Sequence, residues 1–208
     1  MDFSKIKNII FDLGAVIINI DLQITFQAFA ERIGSPIDQI ISQFHHNDFW
    51  NDYETGKVKD NDFRKYVKDN LYSGLTDDEI DFMWNKLLLD LPVERLTLLQ
   101  KLKAKYRLFL LSNTNYIHIK EVNKRIAGIF EEKDIAGYFE KAYYSYEIGL
   151  RKPGVEIYHY VLNDKNLNPE ETLFLDDNFD NILGAKKLGI KTIHVTPPHT
   201  ILELLAEA

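Results

Sequence analysis

The stretch Asn8-Ile9-Ile10-Phe11-Asp12-Leu13-Gly14 decides the fold. Its apolar residues run on without alternation and end abruptly at a carboxylate and a glycine. Such a run fits a strand buried on both faces, and hence a parallel sheet covered by helices. The pattern recurs at Leu108-Phe109-Leu110-Leu111, Leu173-Phe174-Leu175 and Thr192-Ile193-His194-Val195, each followed by a polar residue. Ala142-Tyr143-Tyr144-Ser145 is a weaker fifth candidate.

Helical patterns separate these runs. Pro92 to Lys105 carries Leu96, Leu99 and Leu102 on one face. Gly154 to Asn163 and Asp180 to Leu188 follow, the latter stopped by Gly189. Strand and helix in alternation predict an open α/β sheet with right-handed crossovers. The interval 22–91 breaks the alternation. It holds helical patterns at 22–33, 36–46, 60–72 and 76–89, with Thr76 and Glu79 spaced as a capping box, and no convincing strand. The sequence therefore predicts an all-helical insertion after the first strand.

Composition narrows the function. The chain has 208 residues, 45% hydrophobic and 27% charged, which is too apolar for a disordered protein. Its net charge of −7 argues against nucleic-acid binding and against an anionic membrane surface. With no cysteine, disulfides, thiolate metal sites and cysteine nucleophiles are excluded. No secretory leader or long apolar stretch is visible, so the expectation is a cytoplasmic protein.

Ligands of doubly wound sheets bind beyond the carboxyl ends of the strands. The residues predicted there are Asp12-Leu13-Gly14-Ala15, Ser112-Asn113-Thr114-Asn115, Gly149-Leu150-Arg151-Lys152-Pro153 and Asp176-Asp177-Asn178. Singly, each has a structural use. Ser112 and Asn113 could cap the next helix, and the Asp176 cluster suits a helix N-terminus. Together they suit phosphoryl transfer. Asp12 is a carboxylate nucleophile on a rigid strand end. Asp12, Asp176 and Asp177 are hard oxygen ligands for Mg²⁺. Lys152 and Ser112 are placed to hold phosphoryl oxygens.

These four segments, in this order, resemble the signature of the haloacid dehalogenase superfamily of hydrolases. Ile9 to Gly14 is similar to its first motif and Leu110 to Asn113 to its second. Lys152 corresponds to its third, and Phe174 to Asn178 with Asp180-Asn181-Ile182 to its fourth. The resemblance implies a Rossmann-like parallel sheet with helices on both faces, a catalytic core of 1–21 and 92–208, and a helical cap at 22–91. It is strongest to sugar-phosphate phosphatases and to the phosphatase domain of bifunctional epoxide hydrolases. It implies Asp12 as nucleophile, an aspartyl-phosphate intermediate, a small phosphorylated metabolite as partner, and Mg²⁺ on Asp12, the Gly14 carbonyl, Asp176 and Asp177. Ser112, Asn113 and Lys152 are then substrate contacts.

One departure bears on mechanism. The phosphatase pattern places a second aspartate, the acid/base, where this chain has Gly14. Asp21, or His45 or His46 in the cap, is an alternative proton donor. Two other readings stay open on this account: a 2-haloacid dehalogenase-type hydrolase, which needs no proton on its halide, and a catalytically weak phosphometabolite-binding or regulatory protein. The segment Phe44 to Gly56, aromatic and polar, reads equally in two ways: as the determinant of substrate choice, with His45 and His46 as substrate contacts, or with Phe44, Phe49 and Trp50 as core of the insertion and the histidines on its surface.

Overall fold

The computed structural model describes residues 3–45, 48–127, 129 and 132–208. Strands β1 (Asn8–Phe11), β2 (Arg107–Ser112), β3 (Lys141–Tyr144), β4 (Thr172–Asp176) and β5 (Lys191–His194) form one sheet in the order β3-β2-β1-β4-β5. All pairings are parallel. The fifth run ends one residue earlier than its sequence suggests, because Ser145 opens a helical turn, α8 (Ser145–Ile148). α8 follows α6 (Val93–Lys103) and α7 (Tyr116–Ile126) in the chain.

Alternate residues of each strand enter different cores, because successive side chains point to opposite faces. Ile9, Phe11, Leu108, Leu110, Leu173 and Leu175 pack with Leu96, Leu99 and Leu102 of α6 and Val122 and Ile126 of α7. Ile10, Phe109, Leu111 and Phe174 pack on the other face with Ile157 and Val161 of α9 (Val155–Lys165) and Ile182 and Ala185 of α10 (Phe179–Lys186). This is a Rossmann-like α/β arrangement. The chain winds outward from β1 through β2 to β3, then returns to β4 on the other side. The crevice of a doubly wound sheet forms at this reversal, between β1 and β4.

Between β1 and α6 lie α1 (Leu22–Ile33), α2 (Ile37–His45), α3 (Phe49–Glu54), α4 (Asp60–Asn70) and α5 (Asp77–Trp84), the last continued by a 3₁₀ turn at Asn85–Leu87. Asp21 caps α1 through a 2.9 Å bond from the Gln23 N–H. Thr76 and Glu79 form the capping box of α5. These helices gather a third apolar cluster around Trp84, which stacks on Phe44 at 5.6 Å and meets Phe63 at 4.6 Å and Trp50 at 4.8 Å. The aromatic content of 44–56 thus serves mainly to pack the insertion. α3 was not legible as a separate helix in that segment.

Thr25 is fully buried in α1, where its hydroxyl donates to the Trp84 carbonyl (3.1 Å) and accepts from the Leu87 N–H (3.0 Å). Thr25→Val keeps the shape and strands both backbone groups. It should lower the unfolding free energy by about 1–3 kcal/mol in denaturant titrations. A change below a few tenths would mean that water reaches both groups.

Candidate active site

The predicted site segments converge at the carboxyl ends of β1, β2 and β4. Asp12 follows β1 directly, and its N–H donates to Leu175 O at 2.9 Å, which ties residue 12 to β4. Asp176 ends β4 and is fully buried. The Lys152 ammonium, 1% exposed, lies between them. It donates to Asp12 Oδ1 (2.7 Å), Asp176 Oδ2 (2.6 Å) and the Leu111 carbonyl (2.9 Å). An ammonium has three donors, and all three are engaged.

Two asparagines hold this geometry. The Asn113 amide donates to Lys152 O and accepts from Lys152 N, both at 2.9 Å. Its side chain is therefore occupied in gripping the lysine's own backbone. Asn181 Nδ2 reaches both Asp176 oxygens, at 2.9 and 3.1 Å, and Asn178 N donates to Asp176 Oδ1 at 2.8 Å. The role of Asn181 was not read from the sequence, although the residue lies within the fourth motif. His194 was missed as well. It sits opposite Asp176 in the register of β5, and its Nε2 lies 2.8 Å from the Asp177 carbonyl oxygen. Its signal was its place at a strand end. Asn115, not Ser112 or Asn113, caps α7, through its bond from the His118 N–H.

Asp12, Asp176 and Asp177 offer oxygens within 4.8 Å of one another. Burial pushes the Asp12 carboxyl up to about 7; Lys152 opposes this, while Asp176 and Asp177 add to it. Burial and then Asp176 also hold Asp177 above the usual carboxylate range. For Lys152 burial works toward deprotonation, but the two carboxylates outweigh it and raise its pKa. Three carboxylates face one ammonium, so the cluster carries surplus negative charge that a divalent cation would balance. The hard oxygen set suits Mg²⁺.

Gly14 lies in a tight turn, where Leu13 O accepts from both Ile17 N (2.9 Å) and Ile18 N (3.0 Å). A Cβ built on Gly14 would sit 2.9 Å from Ile20 Cδ1. The wall where an acid/base carboxylate would stand is aliphatic. Asp21 is exposed and turned to its own helix as the cap of α1. His46 and the His45 side chain lie outside the described residues. Ser112 is buried at the end of β2, beside Asn113. Where the insertion meets α7 and α8, a cavity of about 390 Å³ is lined by Lys59, Asp60, Asn61 and Arg64 of the insertion and by Asn115, Tyr116 and Tyr146.

Residues 6–189 match the haloacid dehalogenase-like hydrolase family. The chain belongs to that family. It is 33% identical over 188 residues, 90% of each chain, to a D-ribitol-5-phosphate phosphatase of Bacteroides thetaiotaomicron. It is 26% identical, over 93% of this chain and 91% of the other, to a sesquiterpene phosphatase of Aspergillus oryzae. A crystal structure of a family enzyme from B. thetaiotaomicron, complexed with magnesium and inorganic phosphate, superimposes with a TM-score of 0.88 at 36% identity, covering 96% of this chain and 98% of that one. Among the described residues, no helix is long and apolar enough to cross a membrane.

An Asp12 carboxyl raised to about 7 is partly protonated near neutrality and must lose its proton to bind a cation. Mg²⁺ titrated into the protein at about pH 6 should release close to one proton, and at about pH 8.5 almost none, because Asp12 is already ionised there. Calorimetry in buffers of different ionisation heat reads this number. Equal release at both pH values would contradict the raised value.

Proposed function

We propose that the chain is a Mg²⁺-dependent phosphatase that hydrolyses a small phosphate monoester, a sugar or sugar-alcohol phosphate, through an aspartyl-phosphate on Asp12. The observation that carries this reading is the cluster of Asp12, Asp176 and Asp177 around one lysine at the crevice of the sheet. Without a cation, Asp176 and Asp177 would leave surplus negative charge beside Asp12, which disfavours a metal-free dehalogenase. A phosphatase uses them to retain the cation that lets an anionic nucleophile meet an anionic ester.

Mg²⁺, when bound by Asp12, Asp177 and the Gly14 carbonyl with Asp176 beside them, supplies charge neutralisation for the phosphoryl group. The rest falls to the chain's own residues. The Asp12 carboxylate attacks phosphorus and the bond to the ester oxygen breaks; the departing alkoxide takes its proton from solvent water, since position 14 supplies none. Water then attacks the phosphorus of the aspartyl-phosphate, releasing inorganic phosphate and restoring Asp12. Lys152 holds Asp12 Oδ1 and so limits the carboxylate's rotation, and its charge stands beside the transferred group. Ser112 is the hydroxyl placed to bind a phosphoryl oxygen. Asn113 acts on the reaction by orienting Lys152.

Residues 22–91 form the cap in this reading, and 1–21 with 92–208 the catalytic core. The cavity between them carries amide, carboxylate, guanidinium and phenol groups, the chemistry that recognises a polyhydroxylated leaving group. The relationship to a D-ribitol-5-phosphate phosphatase supports that substrate class.

Asp12→Asn should lower phosphate release from a panel of sugar and sugar-alcohol phosphates by at least ~10³-fold while leaving the fold intact. A variant with wild-type turnover would overturn the nucleophile assignment. No release by the wild-type protein on the whole panel, with Mg²⁺ present, would favour a binding protein instead.

Gly14 predicts the response to the leaving group. General acid catalysis contributes roughly 10²–10⁴-fold, and position 14 cannot supply it. Across a series of phosphate esters, kcat/KM should rise steeply as the leaving-group pKa falls. A flat dependence would show that another group protonates the ester oxygen. Gly14→Asp should flatten it, provided the exposed Ile20 side chain, whose Cδ1 lies 2.9 Å from the new Cβ, swings aside.

A further inference from the structure

The helical insertion is fastened to the loop that carries Lys152. Glu54, the last residue of α3, is nearly buried and accepts from Arg151 Nη2 at 2.7 Å and Arg151 Nε at 3.0 Å. The pair joins residues 97 apart in sequence. Two further approaches lie alongside. Gly56 adopts a φ of +69°, and any side chain there would run into the Tyr146 carbonyl oxygen. A Cβ on Gly149 would meet the Thr55 carbonyl oxygen at 4.0 Å. Residues 54–56 of the insertion are thus laid against 146–151 of the core.

Arg151 immediately precedes Lys152, whose position is critical. The Lys152 backbone is gripped by the Asn113 amide on one side, and its ammonium reaches Asp12 and Asp176. The preceding residue is held by the insertion through a fork-shaped donor, which fixes direction as well as distance. Burial raises the Glu54 carboxyl, and Arg151 works against that rise.

We propose that Glu54 is a positioning residue: through Arg151 it fixes the loop that places Lys152, so that docking of the insertion and assembly of the phosphoryl site are one event. This rests on the assignment of Lys152 to the phosphoryl site. It extends the insertion's part beyond recognising the leaving group. A pair that served docking alone would affect only what the insertion touches. A pair that positions Lys152 also affects binding of inorganic phosphate, which has no leaving group for the insertion to contact.

The test compares Glu54→Gln, Arg151→Gln and the double variant in the full chain with Mg²⁺. Each single variant should lower kcat about 10-fold and weaken inhibition by inorganic phosphate to a similar degree, the size expected for a supporting contact. The double variant should also fall about 10-fold, not ~100-fold, because both changes break one link. Glu54→Asp, which keeps the charge, should recover part of the loss. Thermal melts check that the variants are folded. Unchanged phosphate inhibition with a raised KM would reduce the pair to a docking contact and overturn the proposal, as would losses that multiply. If wild type neither turns over phosphate esters nor binds phosphate, the phosphatase reading itself fails and this one falls with it. If wild type does both and the Glu54 and Arg151 variants match it in kcat and in phosphate inhibition, the positioning role alone is wrong.

Discussion

The Lys152 ammonium is the point on which the molecule is organised. It is buried, and its three acceptors come from three parts of the sheet: the end of β1, the last residues of β2 and the end of β4. A buried charge left unpaired is costly, so the lysine is tolerable only with these acceptors in place. The surrounding amides of Asn113 and Asn181 complete the arrangement by using lone pairs and backbone groups that the lysine does not reach. The result is a rigid set of charges, which phosphoryl transfer requires, since that chemistry is mostly positioning and electrostatics.

The same cluster explains how an acidic protein can receive an anionic substrate. The total charge of −7 opposes it. Locally, three carboxylates beside one ammonium suit a divalent cation, and in the proposed reading that cation and Lys152 present positive charge to the phosphate. Local arrangement outweighs the sum. The insertion is tied to the loop that carries Lys152 by the Glu54–Arg151 pair, and a cavity opens where the insertion meets α7 and α8.

Much of this was legible in the chain because each site residue follows an apolar run. Ile9, Phe109 and Phe174 are buried on both faces, so their runs lack alternation, and the carboxylates and hydroxyl after them necessarily share a rim. What escaped notice depends on contacts distant in sequence. Glu54 and Arg151 carry no local signal of pairing. Ile20 filling the space above Gly14 follows from a turn, not from a pattern. α7 did have a signal, Ile117, Val122 and Ile126 behind the Asn115 cap, but its charged residues masked it. Sequence alone left the aromatics of 44–56 open between substrate recognition and core, and most pack around Trp84, because a small helical insertion needs large side chains to build a core of its own.

The most direct measurement is mass spectrometry of the protein quenched in acid during turnover of a phosphate ester with Mg²⁺. The account predicts a transient phosphoryl group on the peptide that contains Asp12, absent from the Asp12→Asn variant. Steady release of phosphate with no phosphorylated peptide at any quench time, or with the group on another residue, would contradict it.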